Sequence, residues 1–192
     1  MTSCSIPDQP SAWVMRFAPL IPAGEVLDLA CGRGRHAHLL AAQGHSVLAV
    51  DRDEEALAAI DGDRIRTQQL DLEGGTAHGA DWPLQAGRFA GIVVTNYLHR
   101  PLLENLLASL APGGVLLYET FAQGNERYGR PANPDFLLTP GELLDIARVA
   151  RPTPLLVLAF EAGRVELPKR AVIQRICAMR PDPAKVADLP LL

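Results

Sequence analysis

The sequence predicts an α/β fold, a three-layer α/β/α sandwich around a seven-stranded, mostly parallel sheet that ends in an antiparallel hairpin. Two observations carry this prediction. Short apolar segments alternate with segments of helical period along most of the chain, which is typical of a parallel sheet covered on both faces. The last two apolar segments are too close together for a helical crossover, so we expect them to pair antiparallel.

The first half of the chain predicts three strands and their helices. Ser11 is placed to cap a short helix, and Ala37, Leu40 and Ala41 recur at the i, i+3, i+4 spacing of another. In chain order we expect a helix from Ser11, strand 25–30, a helix after residue 34, strand 45–50, helix 53–60 and strand 64–70.

The second half predicts four more strands and two helices. Leucines at helical spacing over 103–110 predict a helix, and the Pro and Gly residues of 111–114 predict the turn that ends it. Thr139 and Glu142 match a capping box with Pro140 at the first helical position. The expected strands are 89–95, 115–120, 154–161 and 171–179.

Length and composition indicate a single domain over residues 1–180, in which 1–10 form a loose leader, with a frayed tail at 181–192. The chain has 192 residues, of which 48% are hydrophobic and 21% charged, a balance typical of a globular domain with a full core. The long segment between strands 64–70 and 89–95 suggests a loop with a function of its own.

Charge and cysteine usage narrow the classes of function. The net charge of −4 and the pI of about 5.7 disfavour a nucleic-acid partner. The three cysteines form no CxxC pair, so the sequence predicts neither a disulfide framework nor a metal site, and a reducing cytoplasm fits best. Because no signal peptide or apolar run of ~20 residues is present, we expect a cytoplasmic protein without a membrane partner.

The turn after the first strand, within "LDLACGRGRH", predicts a site for an adenosine cofactor. Gly32 and Gly34 allow close backbone approach, and the helix that follows presents free N–H groups to an anionic group. Asp51 ends the second strand, where a carboxylate can accept hydrogen bonds from both hydroxyls of a ribose. These features alone fit a nicotinamide dinucleotide as well as another adenosine cofactor.

Two further acids favour a cofactor without a pyrophosphate. Asp28 lies near the end of the first strand, and Asp71 follows the third strand in "LDLE". Asp71 can accept from an exocyclic amine of adenine while the Leu72 amide donates to the ring. Three carboxylates at successive strand ends would repel a pyrophosphate, so they suit a ligand with amino and hydroxyl groups.

Over residues 24–178 the chain resembles the class I S-adenosylmethionine-dependent methyltransferases. The resemblance rests on "VLDLACGRG", "VLAVDRDEEAL", "LDLE" and "LLASLAPGGVLLYET". The "FAQGNERYGRPANPDFLL" segment is similar to the small bacterial branch that includes tellurite-resistance-type methyltransferases. The resemblance implies a Rossmann-like sheet with the last strand antiparallel, S-adenosylmethionine as cofactor and S-adenosylhomocysteine as product.

The resemblance also implies the residues that bind the cofactor. It assigns the methionine part to the two glycines and its amino group to Asp28, the ribose to Asp51, and the adenine to Asp71 and Leu72. Ala30 stands where many members have glycine. The predicted cofactor-binding residues are Asp28, Ala30, Gly32, Gly34, Asp51, Arg52, Asp71, Leu72 and Asn96.

Candidate residues for the chemistry lie in the loops after the fourth and fifth strands. Tyr97, His99 and Tyr128 are the predicted catalytic residues. His99 is either a general base or orienting group or the cap of a following helix. Arg100 either holds an anionic substrate or is solvated, and the loop over 121–138 is either a lid or a pinned surface loop. Trp82 packs either beside adenine or on the core.

The sequence predicts transfer of a methyl group to a small-molecule acceptor by direct in-line displacement. No Asn/Asp-Pro-Pro-aromatic stretch follows the fourth strand, which disfavours methylation of nucleic-acid bases. The subfamily resemblance favours a thiol, a selenol or a metalloid, and a tRNA or a protein is the alternative acceptor. The alternatives are a non-catalytic cofactor-binding scaffold and a nicotinamide-dependent oxidoreductase, although the Tyr-x-x-x-Lys pair of many such enzymes is lacking.

Overall fold

The computed structural model describes residues 9–73 and 82–185. Most of the predicted leader, part of the loop after the third strand and most of the predicted tail lie outside the described residues. The strands are β1 (Glu25–Leu29), β2 (Ser46–Asp51), β3 (Ile65–Gln69), β4 (Phe89–Thr95), β5 (Leu110–Phe121), β6 (Leu156–Val165) and β7 (Ala171–Met179). The α-helices are α1 (Ala12–Phe17), α2 (Arg35–Ala42), α3 (Glu54–Ala58), α4 (Leu103–Ala108) and α5 (Glu142–Val149).

The seven strands form one sheet in the order β3-β2-β1-β4-β5-β7-β6. Strands β1 to β5 pair in parallel, whereas β7 runs antiparallel to both β5 and β6. The predicted α/β class, parallel sheet and antiparallel end are therefore confirmed. Because β1 pairs with both β2 and β4, the strand order reverses there, and a crevice opens outside the carboxyl ends of these strands.

Apolar side chains fill both faces of the sheet. Val26 of β1 belongs to a buried cluster with residues of α1, α2 and α3, and the adjacent Leu27 belongs to a second cluster with residues of α4 and α5. Successive strand residues point to opposite faces, so a strand covered on both faces is apolar at nearly every position. None of the described helices has the length and apolar character that crossing a bilayer requires.

Two predictions were wrong about where an element begins, namely the start of helix α5 and the start of strand β5. Helix α5 begins at Glu142 rather than at Pro140, because Gly141 is its N-cap in the left-handed conformation, with φ 78°. Half of the predicted capping box is nevertheless present, since the backbone N–H and the hydroxyl of Thr139 both donate to Oε2 of Glu142, at 2.8 and 3.0 Å.

Residues 111–114, predicted as a turn, belong to β5. Leu110 already pairs with Phe89, and the register then shifts before Val115 pairs with Gly91. Two backbone hydrogen bonds of 2.9 Å hold this irregular part of β5 beside the end of β7. Gly113 donates to the carbonyl of Arg180, and Arg180 donates to the carbonyl of Gly114.

Candidate functional site

A cleft of ≈ 210 Å³ lies outside the carboxyl ends of β1, β2, β3 and β4. This is the position where a ligand binds in an open α/β sheet. Five of the predicted cofactor residues line it: Ala30, Asp51, Arg52, Asp71 and Leu72. The other lining residues are Leu29, Val50, Leu70, Glu73 and Tyr97.

The turn after β1 is fixed to the end of β2. The N–H of Gly32 donates to Oδ2 of Asp51 at 2.7 Å, and the N–H of Asp53 donates to Oδ1 at 3.0 Å. The Cys31 N–H also donates to the carbonyl of Val50 at 3.1 Å. The Asp51 carboxylate is therefore held in one orientation and keeps further lone pairs that can accept from a ligand.

Three residues of this turn have left-handed backbone conformations: Ala30 (φ 53°), Gly32 (φ 55°) and Gly34 (φ 76°). Such a conformation costs a residue with a Cβ about 1–2 kcal/mol. Ala30 tolerates it with the smallest possible side chain. Gly34 has a second constraint, because a Cβ there would lie 2.8 Å from Cδ1 of Ile60.

Replacing Gly34 with alanine is expected to lower the free energy of unfolding by about 2–3 kcal/mol, through left-handed strain and contact with Ile60. Gly44→Ala is the matched control, because Gly44 has φ 96° and an added Cβ would meet nothing within 4 Å. Its expected loss is about 1–2 kcal/mol, from strain alone. Urea unfolding measures both, and equal losses would rule out the contribution of Ile60.

Asp28 lies beneath the turn rather than on the wall of the cleft. Its side chain is 1% exposed. One carboxyl oxygen accepts from the Ala37 N–H, and Oδ2 has no hydrogen-bond partner among the described residues. Burial raises its pKa to about 7, although Arg35 nearby opposes the shift. An unpartnered buried carboxyl oxygen of this kind suits a cationic donor such as an ammonium group.

Polar side chains from three strand ends form the rim of the cleft. Nη1 of Arg52 lies 3.3 Å from Oε2 of Glu73, and the hydroxyl of Tyr97 is hydrogen-bonded to Glu73. Burial and the neighbouring Glu73 raise the pKa of Tyr97. Oδ1 of Asp71 accepts from the Glu73 N–H at 3.0 Å. Glu73 was not among the predicted site residues, although it directly follows the predicted Asp71–Leu72 pair.

Of the three predicted catalytic residues, only Tyr97 lines the cleft. His99 is half-buried at the start of a 3-10 turn, and its side chain makes no capping hydrogen bond. Tyr128 lies near Arg170 of the β6–β7 connection. Asn96, a predicted cofactor residue, is exposed with φ 57°, and its N–H donates to the carbonyl of Glu119.

A second polar cluster joins the N-terminal segment to α2, to the end of β5 and to the middle of β7. Ser11 donates its N–H to Nε2 of His36 at 3.0 Å and its hydroxyl to Oε1 of Glu119 at 2.9 Å. Nη1 of Arg175 lies 3.4 Å from Oε2 of Glu119. Burial lowers the pKa of His36 to about 3, so the ring is neutral and Nδ1 carries its proton. Sequence reasoning missed this cluster because its members are far apart in the chain.

Comparison with known proteins agrees with this geometry. A family model described as "methyltransferase domain" matches residues 26–114. Trans-aconitate 2-methyltransferase of Rhizobium meliloti (strain 1021) is 32% identical over 112 residues, which are 56% of this chain and 42% of that protein. The chain is thus similar to methyltransferases over residues 26–114, a little under half of its length. It spans less than half the length of this curated relative.

Solved structures share the fold of this chain. TehB from Haemophilus influenzae superimposes with a TM-score of 0.69 at 20% identity, over 87% of this chain and 61% of that chain. Geranyl diphosphate C-methyltransferase from Streptomyces coelicolor A3(2) superimposes with a TM-score of 0.63 at 16% identity, over 88% and 77%. At these identities the likeness establishes the sheet and its topology.

Arg100 ties the loop over 121–138 to α5. Its Nε and Nη2 donate to the two carboxylate oxygens of Glu142 at 2.7 and 2.9 Å. The guanidinium also donates to the carbonyls of Asp135 and Leu137, at 2.6 and 2.9 Å. Arg100 is thus engaged by protein groups, which favours a structural role over the binding of an anionic substrate.

Two other side chains are bound within the protein. Asn125, which is 2% exposed, donates to the Pro131 carbonyl and accepts from the Val172 N–H. Nε1 of Trp82 donates to Oγ of Ser109 at 2.9 Å, and the ring packs on the core. The structure therefore selects the core alternative for Trp82.

Proposed function

We propose that the protein is an S-adenosylmethionine-dependent methyltransferase that acts on a small-molecule acceptor. The cleft at the reversal of the strand order carries this proposal, because it gathers Asp51 and the Asp71–Leu72 pair around one space fit for a nucleoside. The Streptomyces coelicolor structure of the same fold is a complex with S-adenosyl-L-homocysteine, which supports the choice of cofactor.

The described residues fit this cofactor. Asp51 accepts from the ribose hydroxyls, Asp71 accepts from the adenine amine, and the Leu72 N–H donates to the ring. The unpartnered oxygen of Asp28 provides an acceptor of the kind that the amino group of the methionine part requires. The remaining proposed cofactor residues are Ala30, Gly32, Gly34, Arg52 and Asn96.

When bound, the cofactor supplies a methyl group on a sulfonium. The chain's contribution is to hold the acceptor in line with that methyl group and to exclude water. A base is needed only for an acceptor that is protonated at neutral pH, and we propose His99 for that role with Tyr128 as an orienting group. The phenol of Tyr97 is engaged by Glu73, so we assign Tyr97 to the cofactor cleft rather than to proton transfer.

A small soluble acceptor fits best. The curated relative is named for trans-aconitate, which supports a carboxylate among the candidates, and the resemblance to the tellurite-resistance-type branch adds thiols, selenols and metalloids. The net charge of −4 disfavours a nucleic-acid acceptor. We propose that the protein acts in the cytoplasm as one domain over residues 1–180.

Calorimetric titration with S-adenosylhomocysteine, with NADH as the comparison ligand, tests the proposal. Binding of the first ligand alone at micromolar concentration supports it, whereas binding of NADH alone favours the oxidoreductase. Methyl transfer to a panel of thiols, selenite and di- and tricarboxylates then separates an enzyme from a scaffold that binds the cofactor without turnover.

Asp51→Ala is expected to weaken S-adenosylhomocysteine binding about 10- to 100-fold. The substitution removes a charged acceptor, whose hydrogen bonds are worth about 1.5–3 kcal/mol, and it frees the Gly32 N–H that orients the turn. Asp63→Ala, which removes an exposed acid before β3, is the matched control and should bind as the wild type does. Calorimetry measures both, and a change within twofold at Asp51 would contradict the ribose assignment.

A further inference from the structure

The rim of the cleft contains a polar bridge across three strand ends. Arg52 follows β2, Glu73 follows β3, and Tyr97 follows β4. Glu73 is the centre of the bridge, since it pairs with Arg52 at 3.3 Å and is hydrogen-bonded to the hydroxyl of Tyr97. All three side chains also line the cleft, so a ligand there contacts the bridge.

Arg52 and Tyr97 are the two arms of the bridge, and the backbone of each is held by a hydrogen bond that does not involve Glu73. Nε2 of Gln69 donates to the carbonyl of Arg52 at 3.1 Å, and the hydroxyl of Tyr118 donates to the carbonyl of Tyr97 at 2.9 Å. Only the side chains of the two arms therefore depend on Glu73 for their direction. The Arg52 side chain is 68% exposed, and an ion pair this open to water contributes little to folding stability.

We infer that Glu73 is a positioning residue for the nucleoside of the cofactor, a proposal that rests on the proposed function. It holds the guanidinium of Arg52 and the phenol of Tyr97 as two walls of the cleft. Both groups are planar and pack on the face of an aromatic base. Asp71 and Leu72 then contact the edge of the base, between these walls.

The physical benefit is preorganisation. Arginine is long and rich in rotamers, and ordering such a side chain only when the ligand arrives reduces affinity. Because Glu73 orders the side chains of Arg52 and Tyr97 before the ligand binds, the bound nucleoside dissociates more slowly. The effect of Glu73 should therefore appear mainly in the dissociation rate.

The test compares S-adenosylhomocysteine binding to the wild type, Glu73→Ala, Tyr97→Phe and the double variant. Glu73→Ala should bind about tenfold more weakly, and Tyr97→Phe about threefold more weakly. The double variant should bind no more weakly than Glu73→Ala, because residues that act through one interaction are non-additive. Glu73→Gln keeps an acceptor for the Tyr97 hydroxyl and should recover part of the loss.

Two readouts separate positioning from a structural role. The thermal midpoint of the ligand-free Glu73→Ala variant should equal that of the wild type. Binding of 5′-methylthioadenosine should fall by the same factor as binding of S-adenosylhomocysteine, because the bridge contacts only the nucleoside. Glu104→Ala, at an exposed acid on α4, is the control and should leave both affinities unchanged.

The outcomes distinguish this inference from the proposed function. A wild type that binds neither ligand overturns the proposed function itself. If the wild type binds and Glu73→Ala stays within twofold of it, the positioning role is overturned. Additive losses for Glu73→Ala and Tyr97→Phe also overturn it, because Glu73 would then act without Tyr97.

Discussion

Arg180→Met is expected to lower the free energy of unfolding by about 3–5 kcal/mol. Arg180 is 3% exposed, and its guanidinium donates to the carbonyls of Leu107, Leu110 and Arg151 at 2.6, 2.9 and 3.0 Å. Methionine fills similar space without donors, so buried carbonyls at the end of α4 lose their partner. Each unsatisfied group costs about 1–3 kcal/mol, and removal of the buried charge offsets part of the sum.

Urea unfolding of Arg180→Met and of Arg164→Met provides the comparison. Arg164 pairs with Glu166 on the surface, where its side chain is 60% exposed, and its loss should cost less than about 1 kcal/mol. A loss below about 1 kcal/mol for Arg180→Met as well would show that water replaces the guanidinium at the three carbonyls.

Asp28→Asn is expected to change the pH dependence of stability. Burial raises the pKa of Asp28 from 3.8 to about 7 in the folded protein. Between these values the folded state keeps a proton that the unfolded chain has lost, so this carboxyl lowers stability as the pH rises and has no further effect above about 7. Asparagine does not titrate, so the free energy of unfolding of Asp28→Asn relative to that of the wild type should rise by roughly 4 kcal/mol across that pH range.

The measurement is the difference in unfolding free energy between Asp28→Asn and the wild type at a series of pH values. The difference is needed because His36 makes the unfolding free energy of both proteins depend on pH with the opposite sign. Its pKa falls from 6.5 to about 3 on folding, so its contribution is present above 6.5 and is lost as the pH falls through 3. That contribution cancels in the difference. A value independent of pH would show that the Asp28 pKa is unchanged by folding.

Much of the site followed from the sequence because strand ends are local features. Asp51 ends the apolar second strand and Asp71 comes just after the third, and parallel strands bring their carboxyl ends to one edge of the sheet. The predicted cofactor residues Ala30, Arg52 and Leu72 lie in the cleft for the same reason. Helix starts were less predictable. Helix α5 begins only after the left-handed Gly141, and its first residue, Glu142, is bound by Arg100, which lies 42 residues away in the chain.

The sequence alone determined the α/β class, the antiparallel end of the sheet and the edge where the cofactor residues gather, because alternation, spacing and strand ends are read along the chain. Only the tertiary structure decided the partners of Glu73, His36 and Arg100. These side chains meet groups 21 to 42 residues away in the chain, and no local pattern encodes such pairs. Their partners depend on how strands and loops pack, which also decides which carboxylates face the cleft and which, such as Asp28, lie buried beneath it.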